Sequence, residues 1–68
     1  MKCYDLERLD DYGSYITTGE GDSPGHALES TFPEYDPDIA ESWIEMDGSF
    51  RAVCGEYKYF AEECDDDT

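Results

Sequence analysis

Ser42-Trp43-Ile44-Glu45-Met46-Asp47-Gly48-Ser49-Phe50-Arg51-Ala52-Val53-Cys54 is the stretch whose reading decides the fold. Asp-Gly between two runs of alternating polarity is a strong hairpin signal, because the glycine accepts the backbone angles a tight turn needs. A three-residue loop, Asp47-Gly48-Ser49, puts Ile44 and Met46 with Phe50 and Ala52 on one side and sets Glu45 opposite Arg51 on the other. A two-residue loop sets Glu45 opposite Phe50, a poorer pair. The sequence therefore predicts an antiparallel hairpin in the first register.

Working outward, Lys2 to Leu9 and Ser14 to Thr18 are β-compatible runs separated by the turn-forming Asp10-Asp11-Tyr12-Gly13, which predicts a second hairpin. Tyr4 and Leu6 share one face of it, and Asp5 and Glu7 take the other. A helical turn through Leu6 and Leu9 competes, and strands are preferred. Gly19 to Gly25 reads as a loop. Ser23-Pro24 then supplies an N-cap and a first-turn proline for a short helix through Leu28 to Thr31, which ends before Pro33. Asp36-Pro37-Asp38 is a second helix start, with Ile39, Ala40 and Trp43 as its apolar face. Toward the C-terminus, Tyr57, Phe60, Ala61 and Cys64 follow helical spacing, whereas Tyr57-Lys58-Tyr59-Phe60 alone extends a strand, and both readings stand. The expected fold is α+β: a small antiparallel sheet built from two hairpins and packed with one or two short helices. It forms one compact acidic domain over 1–64, with an acidic tail over 65–68.

The chain has 68 residues, 19 Asp and Glu against 4 Lys and Arg, and a net charge of -15. Such composition also suits disorder, but ten aromatic side chains, each able to bury roughly 150 to 250 Å², argue for a folded core. Charge of one sign repels itself and weakens the compact state, so its use is expected on a basic partner. A domain this size has a radius of gyration of roughly 11 Å and a breadth of about 28 Å. Duplex DNA of that length carries about 16 phosphate charges, close to the protein's own total. An even spread over ~4400 Å² would leave the carboxylates about 15 Å apart. That exceeds the ~8 Å screening length at physiological salt, so mimicry of phosphates requires clustering.

Three clusters are candidates. They are Asp5, Glu7, Asp10 and Asp11; then Glu34, Asp36, Asp38, Glu41 and Glu45; then Glu62, Glu63, Asp65, Asp66 and Asp67. A helical reading puts Asp38, Glu41 and Glu45 on one face as a ladder for Arg and Lys. Tyr35 and Trp43 beside them are candidate anchors at the centre of a contact. Acidic runs also occur as plain solvated faces.

Other chemistries find less support. No calcium-loop motif is present, and His26 with Cys3, Cys54 and Cys64 lacks the paired spacing of a zinc site. Two carboxylates alone would need a cleft that a domain this small struggles to build, and Gly19-Glu20-Gly21-Asp22 is too acidic to cradle a phosphate. The expectation is no enzyme, no cofactor and no metal. The chain's own field disfavours nucleic acid and anionic membranes. Three cysteines without a C-x-x-C pair fit a reduced compartment, and Met1-Lys2-Cys3-Tyr4-Asp5 has no apolar leader core, so a cytoplasmic protein is expected.

With Glu34-Tyr35-Asp36-Pro37-Asp38 and Glu62-Glu63-Cys64-Asp65-Asp66-Asp67 in view, the chain resembles the small acidic DNA-mimic inhibitors of bacteriophages and mobile elements, including anti-CRISPR and anti-restriction proteins. The resemblance is one of class, carried by length, patterning and the lack of a catalytic motif, and its members share no fold. It implies binding to a CRISPR effector complex or another nucleic-acid-processing enzyme, in the host cytoplasm, at the basic surface used by DNA. Two alternatives stand beside it: an acidic adaptor or antitoxin for a basic surface unrelated to DNA, and a domain adapted to a high-salt cytoplasm.

Overall fold

Three tight hairpins and one long-range pairing build a single five-stranded antiparallel sheet, seen in a computed structural model that describes residues 1–64. The elements are β1 (Lys2–Asp10), β2 (Gly13–Gly21), α1 (Pro24–Thr31), β3 (Glu41–Ile44), β4 (Phe50–Cys54) and β5 (Tyr57–Glu63). The strand order is β2-β1-β5-β4-β3. The pairing of β1 with β5 joins the first hairpin to the other two, with Leu6 opposite Ala61. The fold is thus a small α+β domain, with one helix and three hairpins. Its radius of gyration is 11.2 Å.

Alternation along the strands decides which side is covered. Tyr4 and Leu6 of β1, Ala52 and Cys54 of β4, and Tyr59 and Ala61 of β5 point to one face and are buried there. Against them pack Ala27 and Leu28 of α1, with Phe32 and Tyr35 from the segment that follows. Leu6 and Leu28 are the largest fully buried side chains, each contributing roughly 1.5 to 3 kcal/mol by leaving water. The helix begins as the sequence predicts: Ser23 Oγ accepts from the His26 amide at 3.2 Å, and Pro24 occupies the first turn. It stops at Phe32, whose extended backbone precedes Pro33.

Three expectations change, and one open reading is settled. Gly19-Glu20-Gly21 belongs to β2 and not to a loop, because α1 lies so close over the strand that a Cβ on Gly21 would sit 2.7 Å from the Ala27 amide nitrogen. Asp36-Pro37 starts no second helix. Asp36 accepts the Asp38 amide on Oδ1 at 3.0 Å and the Ala40 amide on its carbonyl at 2.9 Å, giving a single turn that runs directly into β3.

The 42–54 hairpin forms in a register displaced by two residues, with Ile44 opposite Phe50 and Trp43 opposite Arg51. Its loop is Met46-Asp47-Gly48, closed by the Glu45 amide donating to the Ser49 carbonyl at 2.9 Å, with Gly48 at φ +89°. Ser49 is buried, and its amide and hydroxyl both donate to Asp47 Oδ1. Residues 57–63 form a strand. Gly55, at φ +63°, turns the chain tightly so that β5 fills the slot between β1 and β4, where a helix would leave both strands unpaired.

The two edges differ. β3 is short, exposed and begins with Glu41. β2 is nine residues long, and its stretch from Gly13 to Gly19 carries no charged residue.

Candidate functional site

The face of the sheet opposite α1 is the candidate site. Because side chains alternate, Asp5, Glu7 and Leu9 of β1 point there, together with their register partners: Thr18 and Ile16 on β2, Glu62, Phe60 and Lys58 on β5. Arg51 and Val53 of β4 and Glu41 and Trp43 of β3 continue the same face. No described element packs over it, since α1 contacts the sheet from the other side.

Two regions share this face. On the first, Asp5 stands directly opposite Glu62, Glu7 follows two residues along β1, and Glu20 lies opposite Cys3, diagonal to Asp5. With neighbouring strands about 4.8 Å apart and a rise of about 3.4 Å per residue, these four carboxylates occupy a plate of roughly 10 by 14 Å. The plate spans nine outward positions of about 33 Å² each, so each of its four carboxylates has about 70 Å² of sheet. An even share of the 4850 Å² surface among 19 acidic groups would be several times larger. Four carboxylates are therefore clustered on this part of the face.

The second region is a shallow groove of about 580 Å³ between β1, β5, β4 and β3. Leu9, Trp43, Val53 and Phe60 supply its apolar walls, and Arg51 and Lys58 reach into it. The Arg51 guanidinium lies 4.7 Å from the Phe60 ring centre, and its Nε is 3.5 Å from Glu45 Oε1, an ion pair without hydrogen-bond geometry. Glu45 Oε1 also accepts from Trp43 Nε1 at 3.2 Å, which fixes the indole while leaving it 44 % exposed. Glu45 is thus engaged on both sides by side chains of the groove itself.

The sequence-derived candidates separate on this frame. Asp5, Glu7 and Glu62 fall on the plate. Trp43, Glu41 and Glu45 belong to the far end of the same face, although the helical ladder of Asp38, Glu41 and Glu45 does not exist: Asp38 sits in the turn and the other two in and beside β3. Asp10 and Asp11 lie at the β1–β2 turn, where Asp10 Oδ1 accepts from the Tyr12 amide at 2.7 Å.

Glu34, Tyr35 and Asp36 serve the fold on the helical side. Glu34 Oε1 pairs with Arg8 at 3.0 Å, and its Oε2 accepts from the Tyr59 hydroxyl at 3.1 Å. Arg8 is itself held against the rings of Tyr57, Phe32 and Tyr15. Tyr35 is buried, 5.1 Å from Tyr59 between ring centres, and cannot anchor a partner. Burial pushes both phenols up from their ordinary range, the Tyr59 hydrogen bond to Glu34 adding to the effect. Glu63 points to the helical side and lies 3.8 Å from Lys2. Asp65, Asp66 and Asp67 lie outside the described residues.

Glu20 and Phe60 are the members of the face that sequence reasoning missed. Glu20 was hidden between two glycines that read as loop, although the alternation of β2 continues through it. Phe60 lies in a segment whose spacing suits helix and strand alike. Among the described residues, no group of three or more His, Cys, Asp or Glu side chains is placed to hold a metal ion. No described helix is long and apolar enough to cross a membrane. No family model matches the chain, and no curated protein or solved structure matches it.

Proposed function

We propose that the protein is an inhibitor that binds, through the open face of its sheet, the basic surface on which a CRISPR effector complex or another nucleic-acid-processing enzyme holds DNA. The observation that carries this reading is the plate of Asp5, Glu7, Glu20 and Glu62, packed far more densely than the protein's charge requires. Directly opposed like charges destabilise a sheet, so their concentration on an uncovered face makes physical sense when the complement is a row of Arg and Lys.

The plate supplies long-range attraction and charge-assisted hydrogen bonds to groups that otherwise grip phosphates. The adjacent groove supplies what phosphate cannot. Trp43, Phe60 and Leu9 offer apolar area for a side chain of the partner, the kind of central anchor that slows dissociation. Inhibition follows by occupancy, with no reaction on the partner.

The test is affinity capture from a bacterial lysate with the wild type and with a double variant, Asp5→Lys and Glu62→Lys, followed by elution with duplex DNA. The expected result is a nucleic-acid-processing protein retained by the wild type, lost with the variant and released by duplex. A partner that duplex fails to displace would move the reading to an acidic adaptor. Equal retention by the variant would remove the plate from the contact altogether.

A further inference from the structure

The two ends of the described chain bring a pair of thiols together. β1 and β5 pair with Tyr4 opposite Glu63, so one step further sets Cys3 opposite Cys64. The Cys64 amide donates to the Cys3 carbonyl at 2.9 Å, one of the two bonds that join a hydrogen-bonded antiparallel position. Such positions hold their Cα atoms about 5.5 Å apart. That falls within the range of about 4.4 to 6.8 Å that a disulfide spans. Both thiols are free and partly exposed, whereas Cys54 is buried. Both point to the open face, where Cys64 Sγ donates to Asp5 Oδ1 at 3.5 Å.

We propose that Cys3 and Cys64 form a reversible dithiol–disulfide site, oxidised by a low-molecular-weight disulfide of the glutathione type, that clamps the first strand to the last. The reaction is a double exchange. The Cys3 thiolate attacks one sulfur of the small disulfide and releases one small thiol, leaving a mixed disulfide on Cys3. Cys64 then gives its proton to water and attacks the Cys3 sulfur, releasing the second small thiol. Two protein thiols become one disulfide and one small disulfide becomes two thiols, so electrons and protons balance.

The local environment makes this exchange depend on pH. The neighbouring Cys3 thiol, burial and the hydrogen bond to Asp5 push the Cys64 thiol up to about 12, so the exchange step that needs its thiolate accelerates as pH rises. Closing the ring between residues 3 and 64 constrains nearly the whole described chain in the unfolded state, where long loops give the largest effect.

The experiment uses the full chain titrated in glutathione redox buffers, read by intact mass, free-thiol count and thermal melting. The expected product is a monomer lighter by two hydrogens, retaining one free thiol, with a Tm higher by about 10 °C or more. Cys3→Ser and Cys64→Ser should each lose both changes, while a Cys54→Ser variant should keep them. Persistent glutathione adducts on the wild type, disulfide-linked dimers as the sole product, or unchanged oxidation in Cys3→Ser would each overturn the proposal.

Discussion

Replacing Glu62 with Lys should make the protein more stable while weakening its contact with a basic partner. Glu62 stands directly opposite Asp5 and diagonal to Glu7 on the open face. Two unit charges about 6 Å apart in water repel by roughly 0.7 kcal/mol, reduced to about 0.3 kcal/mol by physiological salt. Removing two such repulsions and installing two attractions of equal size gives roughly 1 kcal/mol of stabilisation, within the range seen for cross-strand pairs. For a domain this small that corresponds to a rise in Tm of about 5 °C.

The assay is thermal unfolding at about 0.01, 0.15 and 1 M salt, where the screening length falls from about 30 to 8 to 3 Å. The gain should be largest at the lowest salt and vanish at the highest. Glu29→Lys, on the exposed side of α1, makes the same change in net charge away from the plate and should stabilise less. A Glu62→Lys protein that melts at or below the wild-type temperature would refute the claim that the plate is held against mutual repulsion. So would a gain matched by Glu29→Lys.

Gly21→Ala should destabilise by about 1 to 3 kcal/mol, since the new methyl would meet the Ala27 backbone and lift α1 from β2; denaturant melts measure it. Stability should also fall as pH rises above about 10, the ordinary phenol range. Burial raises Tyr59 and Tyr35 above that range in the folded state. Their stabilising contribution is therefore complete below the unfolded pKa and lost once the unfolded chain ionises first. Tyr59→Phe should flatten this alkaline decline, as followed by chemical melts from pH 8 to 11.

The parts of the fold that local chemistry dictates were legible in the sequence. The Asp10–Gly13 turn, the Ser23-Pro24 helix start and the stop before Pro33 each rest on residues within a few positions of one another. What escaped was set at a distance. Tyr57 to Cys64 satisfies helical and extended spacing alike, and only the vacancy between β1 and β4 selects the strand. Gly19 and Gly21 look like loop residues until α1 is laid over them, where lack of a side chain is the requirement.

For the site, alternation in β1 correctly separated Asp5 and Glu7 from Tyr4 and Leu6. Glu34 and Tyr35 were misread because nothing nearby in sequence announces Arg8 and Tyr59, which lie more than twenty residues away, bind the Glu34 carboxylate and pack against Tyr35. Acidity in a run thus says little about which face a carboxylate takes, whereas acidity at alternate positions of a strand says much.

The edge strand β2 gives the surplus charge a second role, that of a colloidal guard. From Gly13 to Gly19 its outer backbone groups face solvent along a stretch of Ser, Tyr, Ile and Thr with no charge and no proline to discourage another strand. At neutral pH each molecule approaches its neighbour with a net charge of -15, and the edges stay apart. Near the isoelectric point of about 4.1 that barrier is gone. Acidification should drive edge-to-edge growth of sheets, visible as light scattering with rising thioflavin fluorescence, and a single Thr17→Lys substitution in β2 should suppress it.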